Sequence, residues 1–167
     1  MLQTIISSDL DKLDELNKKY PWIPNSNSIR PKKEIIEKKI LLSEYIHIKW
    51  RSYTDYIYHE IFHEKYYIDK NEKNYVDIMN LKNNIPWSFQ ESKFAYDINP
   101  ITNHWILWNS EKIFSYNFPT NYINKIILDN LKIILGDISN CQFVWYKNPK
   151  PTILEFYHVQ VFWINVK

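Results

Sequence analysis

Glycine is almost missing from this chain: Gly136 is the only one among 167 residues. That scarcity removes three kinds of site at once. A Walker A loop, a GxGxxG dinucleotide turn and a nucleophile elbow all need glycine where backbone meets phosphate or takes a positive φ. Cysteine is equally scarce. With Cys141 alone there is no intrachain disulfide, which suits a reducing compartment. No apolar run approaches the roughly 18 residues that a membrane span needs. The start, MLQTIISSDLDKLDEL, turns acidic at once and lacks the basic and apolar blocks of a secretory signal. The expectation is a cytoplasmic protein with no membrane partner.

Charge of one sign is not in excess either. The net charge is +2, with 14 Lys and Arg against 13 Asp and Glu in residues 1–83, and 7 against 6 in the rest. Duplex nucleic acid calls for a concentrated basic face, because neutralised phosphates drive affinity. No duplex partner is therefore expected. A small nucleotide, or a strand end stacked on aromatic rings, needs no such footprint.

Aromatic residues are what the chain has in abundance: 7 Trp, 13 Tyr and 8 Phe. Asn, Ile and Lys together supply 63 residues, the codon bias of an AT-rich genome, so their richness is not read as function. Apolar residues at 45% and charged residues at 24% are ordinary for a globular protein. The length fits a single domain, 1–167, able to bury its own core.

Three parts can be drawn within it. Ser8 and Asp9 precede leucines 10, 13 and 16 and then Tyr20, the pattern of a capped amphipathic helix that stops before Pro21. With the turn-rich connector PWIPNSNSIRP this makes up residues 1–30. Helical spacing of apolar residues after Pro31 predicts one or two helices across 32–66, and polar residues 69–84 a loop or a weak short helix. The pattern changes in 85–167. His104–Trp108 reads as a strand, 121–135 as a helix closed by Gly136, Gln142–Tyr146 as a second strand and Leu154–Ile164 as a third. The class is α+β: N-terminal helices packed on a C-terminal antiparallel sheet with a strand–helix–strand–strand core.

Two constellations carry chemistry. His59-Glu60-Ile61-Phe62-His63 matches HExxH, which on a continuous helix puts two histidines on one face to share zinc. Charged Glu64 and Lys65 follow where zinc helices stay apolar, and no third ligand stands out. No metal or cofactor is therefore expected, and the plain reading is two polar residues on a half-exposed helix face. The second constellation is on the last strand. Period-two geometry puts His158 and Gln160 on one face with Phe156, while Glu155, Tyr157 and Val159 point the other way. Lys147 and Asn148 end the preceding strand and can reach the same rim, where a cation and an amide suit phosphate or carboxylate. His104 opens the first strand of the same sheet. The plain reading of Asn148 is turn chemistry before proline, and that of the histidines is satisfied core polar groups. Trp105 and Trp108, an odd number apart, should lie on opposite faces.

NHWILWNSEK (103–112), FVWYKNPKP (143–151) and EFYHVQVFWI (155–164) resemble blocks of a family found in fungi, some bacteria and large DNA viruses. It includes the fungal N-acetylglucosamine-induced protein. IHIKWRSYTDYI (46–57) is similar to a further block of that family, with Arg51 where glycine is usual. The family's biochemistry is not established. Membership in its viral branch would imply the host cytoplasm as location. A more distant likeness is to the histidine-triad superfamily, whose transferase branch ends in a His-x-His-x-Gln strand. That likeness implies that His158 is a nucleophile toward phosphorus, that Gln160 holds the phosphate, and that Asn148 stands near the ligand-orienting asparagine. This chain departs from it by Phe156 in the first position and by the lack of a glycine-rich turn.

The leading expectation is a histidine-triad-like hydrolase or transferase acting on a nucleotide or phosphosugar. Its nucleophile would be His158, with His104, Lys147, Asn148, Gln160 and Glu155 around the ligand. The alternative is a non-catalytic binding module for a nucleotide, an RNA cap or a protein partner, and the third choice is a zinc protease built on His59 and His63.

Overall fold

The structure is a computed structural model that describes residues 10–166. The N-terminal helix α1 (Leu10–Lys19) ends one residue before Tyr20, as Pro21 requires; the expected cap residues Ser8 and Asp9 lie outside the described residues. The periodic stretch after Pro31 forms two helices, α2 (Lys33–Lys49) and α3 (Tyr53–Glu60). Ser52 separates them. Its hydroxyl oxygen accepts from the Asp55 amide, and its hydroxyl donates to the Asp55 carboxylate, a reciprocal cap that starts a new helix. Asp55 is buried and its other oxygen accepts from the Val76 amide, which ties α3 to the next element.

That element corrects the sequence reading. A small hairpin, β1 (Tyr66–Ile68) and β2 (Asn74–Val76), starts at the last residue of the predicted helical stretch and runs into the predicted polar loop 69–84, where a 3-10 turn at Ile78–Asn80 follows. The hairpin closes through Asp69, whose side chain accepts from the Asn71 and Lys73 amides. Lys73 then donates to the His47 and Ile48 carbonyls, the unpaired acceptors at the end of α2.

The C-terminal part is a four-stranded antiparallel sheet in the order β3–β4–β6–β5: β3 (Trp87–Glu91), β4 (Asn103–Asn109), β5 (Cys141–Tyr146) and β6 (Tyr157–Asn165). The edge strand β3 adds to the expected core, and β6 begins at Tyr157, so Glu155 is not on a strand. Helix α4 (Thr120–Leu135) covers one face, with Ile123, Ile127 and Leu131 at four-residue spacing fully buried against Leu107, Phe143 and Val159. The other face carries the N-terminal half. Ile57 and Phe62 pack on Trp108 and Phe156, while Leu13, Trp22 and Ile23 pack on Val144 and Phe162. Trp105 and Trp108 do fall on opposite faces. Each fully buried Ile, Leu or Phe contributes about 1.5–3 kcal/mol. The layers are helix, sheet, helix, and the class is α+β.

Helix α4 ends in an unusual way. Gly136 has φ 74° and ψ −68°, and the Asp137 amide donates to the Leu135 carbonyl at 2.9 Å, a γ-turn of the positive-φ kind. The one glycine therefore stands at a backbone conformation that L-residues rarely adopt. A Cβ there would meet nothing within 4 Å, so backbone strain alone sets the cost of substitution. Gly136→Ala is expected to lose about 1–3 kcal/mol in urea unfolding with an unchanged m-value; an unaffected midpoint would disprove the turn.

Candidate functional site

The register of the sheet decides which polar side chains meet. Trp108 lies opposite His158, Ile106 opposite Gln160 and His104 opposite Phe162, so the two histidines sit at diagonal ends of one buried face. They are spent differently.

His104 has no free nitrogen. The Tyr96 backbone amide can only donate, so Nδ1 accepts it at 3.2 Å. The neutral ring then carries its proton on Nε2, which donates to Gln160 Oε1 at 2.6 Å. Tyr96 and Phe162 flank the ring at 4.4 and 4.8 Å between centroids. Burial pushes the imidazole down to about 4 against a weaker opposing effect of the Gln160 bond, so it is neutral at pH 7. His104 is therefore a satisfied core residue, and the oxygen of Gln160 is taken by it.

His158 is the opposite case. Its Nδ1 lies 3.0 Å from the Phe156 carbonyl, which can only accept, so Nδ1 carries the proton and Nε2 keeps its lone pair. Trp108 stacks on the ring at 4.6 Å and Phe114 closes the other side at 5.0 Å, leaving the residue 6% exposed. Burial lowers its pKa, the Phe156 bond opposes that, and the positive charge of Lys147 lowers it further.

Lys147 is the cation of this niche. It is half-buried, its Nζ lies 4.5 Å above the Phe114 ring and 5.2 Å above Tyr157, and it donates to the Tyr116 carbonyl at 3.1 Å. Burial lowers its pKa. No carboxylate pairs with it among the described residues. The ammonium and the imidazole thus both lie against Phe114, and a half-buried ammonium without a carboxylate partner among the described residues favours an anion there.

The remaining predicted site residues are placed elsewhere. Asn148 accepts from the Lys150 amide within its own turn, and the exposed Glu155 accepts from the Leu154 amide beside it. Neither faces His158 from a strand. The HExxH expectation fails on geometry. Helix α3 stops at Glu60, and His63 takes φ 58°, so the two histidines do not share a helical face. What ends the helix is Glu64, a buried charge. Its carboxylate accepts from the Lys82 and Asn83 amides, and the Asn83 side chain donates to the Phe62 and His63 carbonyls. His59 Nδ1 donates to the Glu64 carbonyl at 2.8 Å while its ring stacks on Trp50. Among the described residues no three His, Cys, Asp or Glu side chains form a metal-binding group, and no helix is long and apolar enough to cross a membrane.

Phe114 and Tyr116 escaped the sequence reading because they come from the irregular segment between β4 and α4. The alternation of Phe114, Tyr116 and Phe118 was the one signal available. Two concavities lie away from His158. An open groove of about 1060 Å³ runs between the end of α2 and the β1–β2 turn, and a smaller one of about 410 Å³ adjoins it at Arg51. Volume alone does not make the groove the site. Its Lys73 is engaged by helix carbonyls, and its Arg51 lies over Tyr75 beside Asp69.

The His104 environment sets a pH dependence. Unfolded, the imidazole binds a proton near pH 6.5; folded, it resists until about 4. Between those values the unfolded chain holds more protons, so this stability is full above pH 6.5 and declines as pH falls toward 4, by up to about 3 kcal/mol. Urea titrations at pH 7, 5.5 and 4.5 are expected to show the decline in the wild type and a shallower one in His104→Gln. Equal slopes would remove His104 as its cause. No family model, curated protein or solved structure matches this chain, so its own geometry carries the functional reading.

Proposed function

We propose that the chain binds a small phosphate ester, a nucleotide or phosphosugar, at Lys147 and transfers its phosphorus-bearing group through His158. The observation that carries this reading is the free Nε2 of a neutral imidazole next to an unpaired ammonium. In the first step the Nε2 lone pair attacks phosphorus in line. A P–N bond forms, the P–O bond to the leaving group breaks, and its electron pair departs with that oxygen. The Nδ1–H bond to Phe156 stabilises the positive charge that develops on the ring, and Lys147 offsets charge on the non-bridging oxygens. In the second step water attacks the phosphorus, the P–N bond breaks, and the ring recovers its lone pair while the water's proton goes to solvent. Access requires Phe114 to swing away from the ring, because the residue is closed on that side.

One observation favours a second reading, a binding module for a nucleotide, RNA cap or protein partner that performs no transfer. The His158 ring lies between Trp108 and Phe114 with the residue only 6% exposed, which suits the wall of a binding pocket better than an open nucleophile.

Incubation with nucleoside triphosphates labelled at the α-phosphorus and with labelled phosphosugars separates the two. The expected result is an acid-labile, base-stable protein adduct that His158→Asn abolishes. Because burial lowers the His158 pKa, the neutral ring persists below its ordinary range. The acid limb of adduct formation should therefore fall below pH 6.5. Saturable binding without any adduct would overturn the transfer step and leave the binding module.

A further inference from the structure

The segment that closes over His158 also builds an aromatic surface on the other side of Lys147. Tyr116 and Tyr122 are 42% and 43% exposed and are joined through Phe118, at 4.6 and 5.7 Å between centroids. Trp87, half-buried on the edge strand, backs Phe118 at 5.0 Å. Two cations border this surface. Lys147 Nζ bonds the Tyr116 carbonyl and lies over Tyr157, a ring 4.8 Å from Phe118. Lys112 Nζ lies 4.8 Å above the Tyr116 ring.

Exposed aromatic side chains cost solubility and contribute little to the core, whose neighbouring position is already filled by Tyr157 and Phe118. Beside an unpaired ammonium the same rings have a use. A planar ring stacks on tyrosine and tryptophan faces irrespective of its exact hydrogen-bonding pattern, and a phosphate attached to it meets the lysine. We propose that Tyr116, Phe118, Tyr122 and Trp87 form the ring-binding half of the ligand site. The phosphate ester held at Lys147 then carries a planar ring, as a nucleoside phosphate does, and is not a bare phosphosugar. This rests on the reading of Lys147 as the anion site, and it is independent of whether His158 reacts.

Calorimetric titration of the full chain with AMP, UMP and ribose 5-phosphate tests it, since all three carry the same phosphate and differ in the ring. The two nucleotides are expected to bind about ten-fold or more tightly than ribose 5-phosphate, the gain that one stacked base brings. That gain should vanish in Tyr122→Ala and in Tyr116→Ala, both at exposed positions where folding can be checked by thermal melting. Equal affinities for all three ligands would overturn the ring site and leave the anion site standing. A nucleotide preference unchanged in both variants would overturn its location. Absence of binding by all three would overturn the ring site together with the Lys147 reading.

Discussion

Strand β6 is buried from Tyr157 to Ile164 and hydrogen-bonded along both edges, to β4 and to β5, so its polar groups find partners inside the protein or go without, as the Trp163 indole N–H does. Its apolar side chains are content with α4 on one face and the N-terminal half on the other. Its two central polar residues, His158 and Gln160, are not. An unpaired polar group in such a place costs a few kcal/mol. Much of the surrounding structure can be understood as the answer to that cost.

For the Gln160 oxygen the answer is direct. The cross-strand diagonal to His104 places a neutral imidazole N–H on its oxygen, and the Tyr96 amide locks the tautomer that makes this work. For His158 the answer is half-finished. Phe156 takes one nitrogen, two aromatic rings cover the faces, and the other nitrogen is left beside a cation that has no counter-charge among the described residues. Two histidines on one sheet face thus have different chemical standing, one a closed structural pair and the other an incomplete niche. The difference comes from their partners, not from the residues themselves.

The same contrast separates the two ends of the molecule. The groove beside α2 is larger, yet Lys73 and Arg51 in it close a helix end and brace the hairpin. The His158 niche is small and shut by Phe114, and its chemistry is unspent. The irregular segment 110–119 that closes it is tied to the sheet by bonds from the Tyr157 amide to the Lys112 carbonyl and from the Phe114 amide to the Leu154 carbonyl, so opening falls to the Phe114 side chain and not to the backbone. The aromatic residues of this segment serve both sides of Lys147, which links access to the imidazole with the exposed ring surface.

Much of the fold was legible in the sequence because its long elements are periodic. Four-residue spacing in 123–131 and alternation in β6 are dictated by how helices and strands present side chains, and they correctly assigned the two faces and put His158 and Gln160 together. Short elements escaped. The hairpin 66–76 and the edge strand β3 have too few residues for a period; the hairpin is held by Asp69 within its turn, by Asp55 from α3 and by Lys73 reaching α2, and β3 by its pairing with β4. The helix break at Glu60 is set by a carboxylate reaching amides nearly twenty residues away. Composition by itself determined the expected exclusions: one glycine argues against phosphate-cradling loops, and it stands at a turn of φ 74°. Which nitrogen of which histidine is free was decided only by tertiary structure, since that rests on the position of one carbonyl and one amide, and backbone groups carry no signature in the sequence.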